Sequence, residues 1–478
     1  MKEKLLLLLV GAVALAAVSF LLWCHYQRSK LQRRRQKLVH DSNDPRTIFV
    51  AFFHPYCNAG GGGERVLWCG IKAIQEMTDE RVQCVVYTGD EVEGREILQK
   101  AKTRFGITLE REVRFVHLQK RSWVEASSWP RFTMIGQSLG SMVLGYEALS
   151  KLPPHLFIDT MGYSFTFPLF SWLAGAVVAC YVHYPTISSD MIEKVGARSV
   201  KAVLKHVYYR FFAALYARMG RFASLVLVNS KWTASHINSL WNNSNNASTN
   251  TNARKAIVVY PPCDVEERRQ LPFCWEERWR RGLIVSVAQF RPEKNHALQL
   301  EAFAHMLKAC RGKEGIERVH LALVGSCRGD EDRERLERLR QQAEALGIQD
   351  KVEFCVDVPY AALQKKLSEA LIGLHTMWCE HFGIGIVEMM AAGVITIAHN
   401  SGGPREDIIQ AGVTGYLATE KEEYAEHMRH ILFASDKTAQ EELEEMQKNA
   451  RASVDRFSDE EFHNRFCDAF RPILSSLL

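Results

Sequence analysis

The chain has 478 residues, 47% of them hydrophobic and 24% charged, the make-up of a globular protein long enough for two or three domains. That composition excludes a disordered, collagen-like or disulfide-scaffold protein, and the presence of only one long uninterrupted apolar run excludes a polytopic transporter. The net charge of +5 is local: residues 1–46 carry +6 and the other 432 carry −1, which argues against a nucleic-acid-binding enzyme.

Leu5 to Trp23 is an uncharged run of 19 residues, about 28 Å long as a helix and so matched to a bilayer core. It is long for the apolar region of a cleaved leader, and no small-residue cleavage site precedes the basic block, so residues 1–27 read as a single transmembrane anchor. Arg28, Lys30, Arg33, Arg34, Arg35 and Lys37 follow the run, against Lys2 and Lys4 before it. The positive-inside rule then leaves a short lumenal amino terminus and puts the bulk of the chain in the cytosol. The twelve scattered cysteines agree, since they form no CxxC pair and no metal-ligand spacing, as expected of reduced thiols.

Beyond the anchor, short β-branched runs alternate with amphipathic stretches. Thr47–Phe53, Val82–Tyr87, Val113–Leu118, Leu156–Asp159, Val177–Val182, Leu225–Asn229 and Ala256–Tyr260 read as strands, as do Gly282–Val287, Val319–Val324, Val352–Cys355, Ile372–Thr376 and Val394–His399. The alternation predicts parallel sheets with both faces covered, and the strand number exceeds one doubly wound sheet. The Pro- and charge-rich segment Pro261–Arg281 reads as a hinge between two Rossmann-like domains, 46–262 and 282–440, facing across a cleft. The helical segment 441–478, with Phe457, Phe462, Phe466 and Phe470, is expected to return across that hinge.

From Lys194 to Cys263 there are ten Lys/Arg and no acidic residue, and Val203–Phe222 has helical length with Tyr208, Tyr209, Phe211, Phe212, Tyr216 and Phe222 upon it. Two readings stand open: an interfacial helix on anionic lipid, or a core helix with a solvated basic edge. The Asn-rich stretch 242–252 is a surface loop whose sequons at Asn242 and Asn246 stay unglycosylated in a cytosolic domain.

Three segments carry chemistry. Ala59-Gly60-Gly61-Gly62-Gly63-Glu64-Arg65 follows the first strand; four glycines let the backbone approach a ligand, and the helix after them favours a phosphate or sugar oxygen. Neither the dinucleotide fingerprint nor the Walker motif fits, which disfavours a dehydrogenase. Gln289-Phe290-Arg291-Pro292-Glu293-Lys294-Asn295 also follows a strand, and Arg with Lys suits a diphosphate. In Glu380-His381-Phe382-Gly383-Ile384-Gly385-Ile386-Val387-Glu388 two carboxylates stand eight apart. A turn over Phe382–Gly385 opening a helix aims amides at a phosphate, sets Glu388 to accept ribose hydroxyls and leaves Glu380 at the sugar end. Asn400-Ser401-Gly402-Gly403-Pro404-Arg405-Glu406 is a further glycine turn at the same edge. Asp330-Glu331-Asp332 reads as the acidic start of a charged helix, not a metal site.

These segments resemble the retaining glycosyltransferases of the two-Rossmann (GT-B) type, whose carboxyl half carries an E-x7-E motif. His54-Pro55-Tyr56-Cys57-Asn58-Ala59 with its glycines, Tyr181-Val182-His183-Tyr184-Pro185-Thr186, Tyr260-Pro261-Pro262-Cys263-Asp264 and the Arg291 loop resemble, within that class, the family of endoplasmic-reticulum mannosyltransferases acting on dolichol-linked oligosaccharide. The resemblance implies GDP-mannose as donor and dolichyl-diphosphate-linked Man3GlcNAc2 as acceptor. It further implies addition of the fourth and fifth mannoses in α-1,2 linkage, catalytic domains on the cytosolic face of the endoplasmic reticulum membrane, no metal or other cofactor, and other dolichol-pathway mannosyltransferases as partners. It puts Arg291 and Lys294 on the diphosphate, Glu388 on the ribose, Glu380 near the transferred mannose, Gly383 and Gly385 beside the phosphates, and Gly62 and Gly63 at the reaction centre. His183 matches a strand-end position that contacts the donor sugar. A transferase of the same fold using a UDP-sugar, or a silent membrane scaffold, are the rival readings.

Overall fold

The computed structural model describes residues 2–42, 44–188, 191, 199–241, 255–434 and 436–478. The chain divides into two compact units, one built from 1–229, 233–259 and 463–478, the other from 230–232 and 260–462. The two sequons, and residues 194–198 and 242–254 of the basic stretch, lie outside the described residues.

The first unit carries a seven-stranded sheet of β1 Ile48–Phe53, β2 Val82–Thr88, β3 Arg114–His117, β4 Leu156–Asp159, β5 Val177–Val182, β6 Leu225–Val228 and β7 Ile257–Val258, in the order β3-β2-β1-β4-β5-β6-β7. Every pairing is parallel. All six residues of β1 are buried, because a parallel sheet is covered on both faces and needs a continuous apolar run instead of an alternating one. Its helices are α1 Lys2–His40, α2 Gly62–Met77, α3 Gly94–Phe105, α4 Thr133–Lys151, α5 Val200–Gly220 and α6 Lys231–Trp241. Helix α1 contains the whole run Leu5–Trp23; among the described residues no helix is long and apolar enough to cross a membrane. Its second half is part of the unit: Leu31 is buried in the core, Arg34 Nε donates to Lys151 O at 3.1 Å, and Arg35 Nη1 donates to the carbonyls of Pro154 and Ala174 at 2.9 and 3.2 Å. Part of the basic block thus satisfies backbone carbonyls, a use that charge counting does not anticipate.

The second unit carries a six-stranded, wholly parallel sheet of β8 Leu283–Val287, β9 His320–Gly325, β10 Val352–Val356, β11 Ile372–His375, β12 Ile395–His399 and β13 Tyr416–Ala418, in the order β10-β9-β8-β11-β12-β13. Strand β13 escapes the sequence reading because its three residues are too few to show a pattern. The helices are α7 Val265–Arg269, α8 Trp275–Arg281, α9 His296–Ala309, α10 Asp330–Ala345, α11 Tyr360–Glu369, α12 Ile384–Ala391, α13 Lys421–Leu432 and α14 Lys437–Ser453. Asp330, Glu331 and Asp332 form the first turn of α10.

The segment expected as a hinge, 261–281, belongs to this second unit. Arg278 fixes it: the side chain is buried, and its guanidinium donates to the carbonyls of Ser368, Gly393, Pro272 and Ala392 at 2.7–3.0 Å. A five-donor fork suits such a set of orphan carbonyls, two of them at the carboxyl end of α12. The final helix, α15 Asp459–Leu477, passes from the second unit to the first, where residues 463–478 cluster. Phe466 packs on Gly70 of α2; a Cβ there would lie 3.2 Å from its ring.

Candidate active site

In both sheets the strand order reverses beside the first strand: β1 lies between β2 and β4, and β8 between β9 and β11. Helices leave to opposite faces at such a point and a crevice opens beyond the strands' carboxyl ends, where open α/β sheets bind ligands. The glycine loop follows β1, the Arg291 loop follows β8, and the Glu380 turn follows β11. The sequence placed these motifs after strands; the topology adds that they are the strands flanking the reversals.

In the second unit the centre is Glu380. Lys294 Nζ lies 2.5 Å from Glu380 Oε2, and His375 Nε2 lies 3.2 Å from the same oxygen. Burial alone would raise the Glu380 carboxyl. The hydrogen bond from His375 and the charge of Lys294 outweigh it and hold the group well below the usual carboxylate range. Glu380 is therefore an anion at neutral pH, and His375 carries its proton on Nε2 to donate. Lys294 is itself positioned: it ends the tight turn Pro292–Lys294, and Thr376 Oγ1 donates to its carbonyl at 2.8 Å and to that of Asn295 at 3.0 Å. His375 is fixed from behind, where Tyr424 OH donates to its carbonyl at 2.9 Å.

The Glu380 turn rests on the second glycine turn. Gly403 N donates to Glu380 O at 2.8 Å, and Ser401 Oγ accepts from Cys379 N at 2.8 Å. A Cβ at Gly402, whose φ is +59°, would lie 2.3 Å from Glu380 O, and one at Gly403 would lie 2.7 Å from His381 O. Only glycine allows this approach of two backbones. Gly383, at φ +118°, starts α12, so the free amides of Ile384 and Gly385 lie at a helix amino end, suited to an anion.

Glu388 lies one turn into α12, with Oε1 3.8 Å from Nη2 of Arg268 on α7. Arg268 is buried and lies over the Tyr360 ring at 4.9 Å. Nothing in the sequence announces this partner, because Arg268 falls in the segment taken for a hinge. Arg291 is half-buried; its Nη1 is 3.5 Å from Glu293 Oε1.

In the first unit, Gly62 and Gly63 are the first two residues of α2, with Gly61 as its cap. The Glu64 carboxylate turns back to accept from Gly61 N and from His54 Nε2 at 3.2 Å, while His54 Nδ1 meets Thr160 Oγ1 at 2.7 Å. Burial raises Glu64, and the His54 bond and backbone amides overcome it, leaving the carboxyl below its ordinary value. A Cβ at Gly63 would stand 3.7 Å from His183 Nε2, so the structure brings the glycine loop and His183 together. Asp159, fully enclosed at the end of β4, accepts from the amides of Met161 and Gly162 at 3.2 and 2.9 Å, and burial pushes it up to about 7. His375 and Asp159 escaped the sequence reading as site residues, and His54 and Glu64 stood in its motifs without a role; for His375, His54 and Asp159 the available signal was position at or just after a strand's carboxyl end.

Two parallel sheets with motifs at their reversals, and a Lys–Glu–His cluster beside a helix amino end, define a glycosyltransferase of the two-Rossmann class. Residues 268–453 match the glycosyl transferases group 1 and residues 47–241 the ALG11 mannosyltransferase N-terminus. Among solved structures, HepE of Anabaena in complex with UDP and glucose superposes with a TM-score of 0.60 at 18% identity, over 89% of this chain and 99% of that one. Sucrose-phosphate synthase of Thermosynechococcus elongatus gives 0.61 at 18%, over 90% and 100%. Among curated relatives, the GDP-Man:Man(3)GlcNAc(2)-PP-Dol alpha-1,2-mannosyltransferase of Dictyostelium discoideum is 49% identical over 446 residues, 90% of this chain and 86% of that one. The Homo sapiens protein of the same name is 47% identical over 456 residues, 92% and 90%. The chain belongs to this family of GDP-Man:Man(3)GlcNAc(2)-PP-Dol alpha-1,2-mannosyltransferases.

Proposed function

We propose that the protein transfers mannose from GDP-mannose in α-1,2 linkage onto dolichyl-diphosphate-linked Man3GlcNAc2, supplying the fourth and fifth mannoses of the N-glycan precursor on the cytosolic face of the endoplasmic reticulum. The observation that carries the reading is the Lys294–Glu380–His375 cluster at the β8/β11 reversal in a chain of this family. Retention without a protein nucleophile is a same-face exchange. The bond from mannose C1 to the β-phosphate oxygen breaks, a bond from C1 to the acceptor hydroxyl oxygen forms, and the hydroxyl proton passes to the departing diphosphate. Arg291, Lys294 and the amides at Gly383–Gly385 meet the growing diphosphate charge, which is electrostatic catalysis by preorganised donors and calls for no metal ion. Glu380 borders the transferred mannose and Glu388 the ribose; Gly62, Gly63 and His183 are the sugar-side candidates of the first unit. Leu5–Trp23 is the membrane anchor, supported by its length and its basic flank.

The test is transfer of radiolabelled mannose from GDP-mannose to lipid-diphosphate Man3GlcNAc2 with EDTA present and UDP-sugars in parallel. Two added mannoses, both released by an α-1,2-mannosidase, are expected. Turnover of a UDP-sugar with none from GDP-mannose would leave the fold standing and discard the donor.

A further inference from the structure

We propose that the first unit has a second membrane contact besides the amino-terminal helix: an apolar, basic-edged face on the amino-terminal halves of α4 and α5 that enters the headgroup layer of an anionic bilayer. The inference rests on reading Leu5–Trp23 as the anchor.

The direction of the bilayer follows from two parallel helices. Gln27 of α1 accepts from Tyr146 OH of α4 at 3.2 Å, and Arg34 of α1 donates to Lys151 O at 3.1 Å. Both chains advance the same way, so going back from Gln27 towards the apolar run is going back along α4 from Tyr146 towards Thr133. At that end of α4 large apolar side chains face outward. Leu139, seven residues before Tyr146 and so on its face, is 51% exposed, and Phe132, just ahead of the helix, is 69% exposed. Trp123 belongs to the same end, because its carbonyl packs where a Cβ at Gly140 would be, and it is 46% exposed.

Phe132 hands the surface on to α5. Its ring meets Tyr208 edge-on at 5.6 Å, and Tyr208 OH accepts from Ile135 N at 3.4 Å. The core takes α5 only from Tyr209 onward; Phe212 and Tyr216 are buried, while Leu204, Val207 and Phe211 are 56–64% exposed. Those three recur at spacings of three and four, one stripe of the helix over about 10 Å. A soluble surface scatters such residues singly; a contiguous set marks an interaction site. What covers it follows from charge. Lys201, Lys205 and Arg210 are exposed along the same turns, and Lys194 to Cys263 contains no acidic residue at all. An amphipathic face edged by Lys and Arg, with Trp and Phe at its rim, fits anionic lipid. With α1 packed on the same unit, this second contact sets the unit's orientation to the lipid-borne acceptor.

The test uses the full chain in vesicles of phosphatidylcholine with phosphatidylserine whose acyl chains carry a photoactivatable diazirine, with labelled residues located by mass spectrometry. Label is expected within 132–139 and 203–211 as well as in the amino-terminal helix. Absence of label from those two segments overturns the inference whether or not the helix is labelled; label in the helix separately decides the anchor reading. Reversing Lys201, Lys205 and Arg210 to Glu is expected to lower label in 203–211 at least about a hundredfold, at roughly fivefold per basic residue lost, with the helix labelling and the unfolding temperature unchanged. Undiminished label in that variant overturns it.

Discussion

Replacing Lys294 by Ala isolates the electrostatic contribution at the centre of the mechanism. Lys294 Nζ is 2.5 Å from Glu380 Oε2, and the two side chains are 23% and 14% exposed. A unit charge about 4 Å from the ammonium, at the effective dielectric of about 20 that suits such a site, interacts by about 4 kcal/mol. Departure of the diphosphate adds about one negative charge there, so loss of Lys294 removes about 3–4 kcal/mol from the transition state, a fall in kcat of roughly 10²–10³. Lys294 also helps keep the Glu380 carboxyl low. A depressed carboxyl contributes stability above its unfolded value, about 4.3 for Glu, and that contribution is lost only as pH falls through the folded value. In the variant the loss sets in at higher pH, and the acid limb of activity moves with it. The assay is steady-state mannose transfer across pH, with kcat and KM separated and the unfolding temperature recorded. A kcat within tenfold of the parent in a folded variant, with an unmoved acid limb, would refute the reasoning.

Gly402→Ala forces a Cβ to 2.3 Å from Glu380 O, so the turn carrying Glu380 must shift. Transfer is expected to fall at least about tenfold, since displacements of about 1 Å cost up to a hundredfold, while Gly412→Ala, also at positive φ but with open space around it, leaves kcat unchanged. Asp159 is raised from 3.8 to about 7 by burial. The folded state therefore holds a proton that the unfolded state has lost, and the first unit loses stability as pH rises from about 4 to 7, by up to about 4 kcal/mol. Asp159→Asn is expected to abolish that slope in thermal unfolding followed over this range; an unchanged slope assigns it to other groups.

The parallel sheets were legible because both-face burial writes itself as unbroken apolar runs: β1 reads Ile-Phe-Val-Ala-Phe-Phe and nothing else fits. The glycine turns were legible because backbone approach has a residue signature. Partners were not. His375 reaches Glu380 from five residues away, yet Lys294 comes from 86 away and Arg268 joins Glu388 from a segment whose charge and prolines suggested a linker. Pro261–Arg281 shows the limit of composition: the three charged residues Glu276, Glu277 and Arg278 in a row after Trp275 look solvated, but Arg278 is buried and holds four carbonyls. Pattern registers what one residue prefers; it does not register a long-range hydrogen bond that overrides the preference.

Helix α15 gives the order of synthesis a meaning. Phe466 and Phe470 are core residues that sit with the first unit, and Cys467 Sγ lies 3.8 Å from Ala73 O of α2. They leave the ribosome after the whole of the second unit. The half made first therefore waits, with the α2 surface around Gly70 uncovered, until the last-made helix arrives, whereas the half made second has all its strands to hand as it emerges. A late premature stop would fall on the glycine-loop half of the enzyme, hundreds of residues upstream of the lesion, and would spare the Glu380 half beside which it lies in the gene.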